Sequence, residues 1–135
     1  MKERIEEYNM SRAISSSKSF KGRRSYESGI AAENRISADC ERRGLIVSER
    51  RWRGKAGEID LVARDGSALV FIEVKQSRTF DQAMMHLSER QVSRLYAAAE
   101  EFVANEPNGN LTEVRFDLAL VNQQGEYQII ENAFA

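Results

Sequence analysis

Two apolar runs, Gly57-Glu58-Ile59-Asp60-Leu61-Val62 and Val70-Phe71-Ile72-Glu73-Val74-Lys75, carry ionisable side chains where a strand would bury them. Asp, Glu and Lys are rarely buried without a partner, because a lone carboxylate in apolar surroundings is strongly destabilising or takes up a proton. The fold must therefore supply a partner, and a shared metal ion is one such partner. At period two, Glu58, Asp60, Val62 and Arg64 share one face of the first strand, and Ile59, Leu61 and Ala63 the other. In the second strand Leu69, Phe71, Glu73 and Lys75 fall on one side, with Ala68, Val70, Ile72 and Val74 opposite. Asp65-Gly66-Ser67 joins the runs, and Asp-Gly between apolar segments signals a hairpin. Pairing of the two strands lets Asp60 and Glu73 converge.

The 135 residues, 41% of them hydrophobic, suffice for one domain with a true core and are too few for two comfortable ones. A formal net charge of −1 excludes a broadly basic coat protein, yet the charge is uneven. Ser11 to Tyr26 holds five basic residues and no acid, and Arg42 to Lys55 holds six against Glu49 alone. Such clusters either bind phosphates or form solvated surface. Cys40 is the single cysteine, so no internal disulfide forms, and no apolar stretch approaches the roughly 18 residues of a membrane helix. Glu3, Glu6 and Glu7 near the start, without an apolar run, do not read as a secretory signal. The expectation is a reduced, cytoplasmic protein with no membrane segment.

Residues 1–24 are expected to form a flexible basic arm, since Ser15-Ser16-Ser17 interrupts any helix, and residues 25–135 a single domain. The pattern from Glu27 to Arg43 is helical and ends at Gly44, with Glu33 set inside a stripe of Ile30, Ile36 and Cys40. Leu45 to Arg53 reads as a strand, Gly54 to Gly57 as a turn, and the two diagnostic strands follow. A loop containing Met84, Met85 and His86 leads to a helix opened by the capping box Ser88-x-x-Gln91, with a stripe of Val92, Leu95, Tyr96, Ala99, Phe102 and Val103. After Pro107-Asn108-Gly109, Val114 to Leu120 alternates as a strand, and Tyr127 to Ile130 supplies the last. Helices separating groups of strands indicate an α/β sheet flanked by helices.

Asp60 and Glu73 have the chemistry of a Mg²⁺ site, which is commonly built from one or two carboxylates, water and a substrate phosphate. Lys75 can hold or deprotonate water or neutralise developing charge, and Glu33 can complete the ion's shell directly or through water. The chemistry expected is metal-dependent phosphodiester hydrolysis. An acid-x-lysine triplet alone is weak, and an edge ion pair explains Glu73 and Lys75 equally well in isolation. The ordered occurrence of Glu33, Asp60, Glu73 and Lys75 on a helix, a strand and a neighbouring strand favours a site. Trp52 is expected to pack on the sheet, while at least one of Arg50, Arg51, Arg53 and Lys55 contacts phosphate. Asp117 faces away from its strand's apolar set, pairs with Arg115 or a neighbouring strand, and has no catalytic role. His86, the only histidine, excludes histidine-rich zinc sites.

The arrangement resembles the PD-(D/E)XK nuclease superfamily, and more closely the YraN family of uncharacterised bacterial endonuclease-like proteins. The resemblance runs from Gly29 to Phe134. It is carried by Gly29, Ala32-Glu33, Gly44, the Gly57-to-Val62 and Val70-to-Lys75 runs, Arg115-Phe116-Asp117 and Ala133-Phe134. It implies a restriction-endonuclease-like core, with a central mixed β-sheet flanked by α-helices. Glu33, Asp60, Glu73 and Lys75 would be the catalytic set, with Glu33, Asp60 and Glu73 holding Mg²⁺, for which Mn²⁺ substitutes. The function implied is a DNA endonuclease acting on structured or branched sites, with a second copy of the chain as a candidate partner. The chain departs from the pattern at Ser77, where an arginine is usual, and at Gln91, where lysine is common. That glutamine is similar to one supporting the site in RecB-like nucleases. The rival expectation is a non-catalytic nucleic-acid-binding or protein-interaction module on the same fold.

Overall fold

The structure, a computed structural model, describes residues 23–134. The expected N-terminal arm lies almost entirely outside them. Helix α1 (Arg23–Arg42) begins before the expected Glu27. Strands β1 (Ile46–Arg53), β2 (Glu58–Asp65) and β3 (Ala68–Gln76) follow as an antiparallel meander. Helices α2 (Phe80–Met85) and α3 (Glu89–Val103) then cross to β4 (Val114–Val121), which lies parallel to β3, and β5 (Tyr127–Ile130) pairs antiparallel with β4. The sheet order β1-β2-β3-β4-β5, with helices against it, is the expected mixed α/β arrangement. Among the described residues no helix is long and apolar enough to cross a membrane.

Each sheet face has its own core. Ala32, Ile36 and Cys40 of α1 pack on Leu61, Ala63, Val70, Ile72, Ala119 and Val121. Leu95, Ala98, Ala99 and Phe102 of α3 pack on Val62, Leu69, Phe71, Leu118 and Leu120. The short α2 corrects the expected loop. Its start is capped by Thr79, whose side chain accepts the Gln82 N–H at 3.1 Å, and Met84 is driven into the core as expected of an apolar filler. The Ser88/Gln91 capping box of α3 forms as the spacing predicts.

Pairing of β2 with β3 runs from Asp65–Ala68 to Leu61–Ile72 and stops there. Beyond that point β2 remains with β1 as far as Arg53–Glu58, while β3 remains with β4 as far as Gln76–Val121. The sheet therefore forks between Asp60 and Glu73. The strict alternation expected for β2 also fails here: Ile59 belongs to the α3-side core and Leu61 to the α1-side core. Across from them, Arg51 of β1 adopts φ of 52°, between the Arg50–Leu61 and Trp52–Ile59 pairs. A non-glycine residue in that region is strained, and such strain persists only where surrounding contacts impose it.

Asp117 is completely buried. Arg115 donates to both of its oxygens, at 3.0 and 3.1 Å, and the Asn132 N–H donates at 2.9 Å. These bonds tie β4 to the C-terminal turn, where Ala133 and Phe134 enter the α3-side core. Removing the cation would leave an unpaired buried carboxylate. Arg115→Ala is expected to lower stability by about 3 kcal/mol in urea unfolding, and a loss well under 1 kcal/mol would refute this account of the pair.

Candidate metal and nucleic-acid site

At the fork, Asp60 turns its carboxylate towards β3 and accepts the Val74 N–H at 2.8 Å. That bond replaces the β2–β3 ladder where it has ended, and it fixes the carboxylate beside Glu73. The Glu73 side chain also meets Lys75 Nζ at 3.1 Å, with both groups largely buried. Burial first, and the Glu73 charge second, push the Asp60 carboxyl up to about 8. Burial raises Glu73 as well, against the lowering effect of Lys75. Titratable groups displaced this far inside a cleft are characteristic of functional sites.

The cleft has a volume of about 490 Å³ and is lined by Arg53–Glu58, Asp60, Glu73, Lys75, Gln91, Arg94 and Leu95. Its walls are the Gly54–Gly57 loop and the first turns of α3. The two approach closely: a side chain at Gly57 would place its Cβ 3.4 Å from the Arg94 carbonyl oxygen.

The structure thus gathers Asp60, Glu73, Lys75, Arg53, Lys55 and Gln91 of the expected residues. Gln91 has a second commitment, because its Oε1 accepts the Ser88 N–H at 3.3 Å in the capping box. Arg53 pairs with Glu58 at 2.6 Å, but both side chains are exposed, and salt-screened pairs of this kind hold weakly. Lys55 and Arg94 make no ion pair among the described residues. Arg94 was not singled out by the sequence, since a lone basic residue on the polar side of a helix stripe carries no signal of its own.

Other residues are placed differently. Glu33 is held by Arg51 at 2.8 Å and does not line the cleft, although its charge contributes to the rise of Asp60. Arg50 donates to Asn34 of α1, so neither Arg50 nor Arg51 lines the cleft. Trp52 packs as expected, edge-on to Phe102 with ring centroids 5.2 Å apart. Asp117, given no catalytic role, is absorbed by Arg115 as anticipated.

Among the described residues no three His, Cys, Asp or Glu side chains stand together as a metal cage. Asp60 and Glu73 form a two-carboxylate oxygen set, which suits a hard divalent cation that keeps most of its shell as water and phosphate. The raised Asp60 carboxyl supports that fit, because two close acids need either a proton or a cation between them.

Residues 32–121 match the model of the uncharacterised protein family UPF0102. A UPF0102 protein of Ruegeria pomeroyi is 55% identical over 114 residues, covering 84% of this chain and 93% of the relative. One from Cereibacter sphaeroides is 53% identical over 84% of this chain and 97% of its own length, and one from Roseobacter denitrificans is 46% identical over 84% and 88%. The matched segment contains the whole fork, both walls of the cleft and the Glu33–Arg51 pair, and the chain belongs to the UPF0102 family.

Proposed function

We propose that this chain is a metal-dependent nuclease hydrolysing phosphodiester bonds in DNA, on a restriction-endonuclease-like core. The observation carrying this reading is the convergence of Asp60, Glu73 and Lys75 at the strand fork, inside a cleft whose rim presents Arg53, Lys55 and Arg94. Basic side chains at a rim can hold successive phosphates and set the register of the backbone without reading bases. Lys75, held by Glu73, is placed to orient a water or to steady negative charge growing on the phosphoryl oxygens. A Mg²⁺ ion, or Mn²⁺ in its place, held by Asp60 and Glu73 would polarise the phosphate and lower the pKa of a bound water. Glu33 acts on the site through its charge while it pairs with Arg51 outside the cleft.

Labelled linear, single-stranded and four-way-junction DNA should be cut in Mg²⁺ or Mn²⁺, and Glu73→Ala and Lys75→Ala should each lower the rate by about 100-fold or more. Equal cutting by the wild-type protein and both variants would assign the activity to a contaminant. DNA binding without cutting would replace the enzyme by the non-catalytic module.

The raised Asp60 carboxyl bears on stability. Asp60 titrates near 3.8 in the unfolded chain but at about 8 in the folded one, so between these values the folded state holds the extra proton. Stability of the metal-free protein should therefore fall as pH rises between about 5 and 8. The raised Glu73 carboxyl adds a contribution of the same sign. Urea midpoints measured in chelator should show this decline, and Asp60→Asn should flatten it; an equal slope in the variant would contradict the assignment.

A further inference from the structure

The loop that brings Lys55 to the cleft spans Gly54–Gly57 and is closed by the Gly54 N–H donating to the Gly57 carbonyl at 2.9 Å. One hydrogen bond across so short a loop does not set its angle to the neighbouring helix. Glu101 of α3 supplies that constraint. Its carboxylate accepts the Lys55 N–H at 2.9 Å through Oε1 and 3.2 Å through Oε2, and the Ala56 N–H at 3.4 Å. The loop lies against the helix closely enough that a Cβ on Gly54 would come within 2.7 Å of the Glu101 carboxylate carbon, and equally close to the Trp52 ring. That ring is itself seated on Phe102, the residue next to Glu101.

An acid beside a wall that receives phosphates is unfavourable on charge alone, since it repels the ligand that Lys55 attracts. Its placement is explained by geometry: α3 carries Arg94 on one wall, and through Glu101 it fixes the loop that forms the other. We propose that Glu101 is a positioning residue that holds the Lys55 loop at the angle needed to contact a nucleic-acid phosphate. The inference rests on the nucleic-acid reading of the cleft and adds to it a residue outside the cleft lining.

The test is binding of a labelled DNA duplex to the full chain across a range of salt concentrations, for wild type, Glu101→Ala, Glu101→Gln, Lys55→Ala and the Glu101→Ala/Lys55→Ala double variant. Positioning predicts that Glu101→Ala weakens binding about fivefold to tenfold, although it removes a negative charge, and lowers the salt slope by about 1, as Lys55→Ala does. Glu101→Gln makes the same charge change but keeps an acceptor oxygen, so its affinity should lie closer to wild type. Lys55→Ala should cost almost nothing further in the Glu101→Ala background. Tighter or unchanged binding by both Glu101 variants overturns the proposal, as does full additivity of the double variant. Hydrogen exchange at the Lys55 amide checks the anchor without DNA: it should quicken in Glu101→Ala, and unchanged exchange also overturns the proposal. Absence of DNA binding by the wild-type chain overturns the nucleic-acid reading and the proposal together, whereas normal wild-type binding with unaffected variants overturns the proposal alone.

Discussion

The hydrogen bond from the Val74 N–H to the Asp60 carboxylate is the interaction on which the site depends. A sheet that remained paired between β2 and β3 would satisfy its backbone by continuing the ladder, and Asp60 would have no special position. Here pairing ends at Leu61–Ile72, and each strand keeps its other neighbour. A side-chain oxygen takes up the backbone donor facing the gap, in keeping with the rule that backbone donors removed from water find an acceptor. The fork, the convergence of Asp60 with Glu73, and the cleft between the loop and α3 all follow from that local exchange.

The molecule solves the problem of buried acid in two ways. Asp117 is closed off by Arg115 and a backbone N–H, and its charge has a structural use. Asp60 and Glu73 are left facing a cleft with Lys75 as their nearby cation, so the pair retains a carboxyl titrating at about 8. With a proton on Asp60 the Glu73 charge is balanced by Lys75, and a divalent cation that displaces this proton would meet two carboxylates and one ammonium. The Glu33–Arg51 pair adds a further negative influence from the margin while remaining charge-matched itself.

Much of this was legible in the sequence. Period-two patterning marked the strands, Asp65-Gly66 marked the hairpin, and Ser88-x-x-Gln91 marked the start of α3, because each is a local signal with a local cause. The hairpin register puts Asp60 opposite Glu73 one step beyond Leu61–Ile72, whereas the fork that turns the Asp60 carboxylate to the Val74 N–H was not legible. Features made by tertiary contact were not legible. The φ of 52° at Arg51 and the broken alternation at Asp60, where β2 parts from β3, are both concealed by a strict period-two pattern. Helix α2 has six residues, too few to develop a helical period. Glu33 fell correctly on α1, but its ion pair with Arg51 joins that helix to β1 and is a tertiary contact. Arg94 and Glu101 read as ordinary polar positions of an amphipathic helix, and only the approach of the Gly54–Gly57 loop gives them distinct roles.

The UPF0102 relatives align over 84% of the chain, so the fork and its cleft belong to the matched region rather than to an appended segment. The central claim is that Asp60 and Glu73 share a place that a proton fills in the metal-free state and a divalent cation fills in its stead. Titration calorimetry of Mn²⁺ into the protein near pH 7, in two buffers of different ionisation enthalpy, tests it directly. Binding that releases about one proton per ion, with the release abolished in Asp60→Asn, is the predicted result. Failure to bind, or binding with no proton release that survives in Asp60→Asn, would contradict the account.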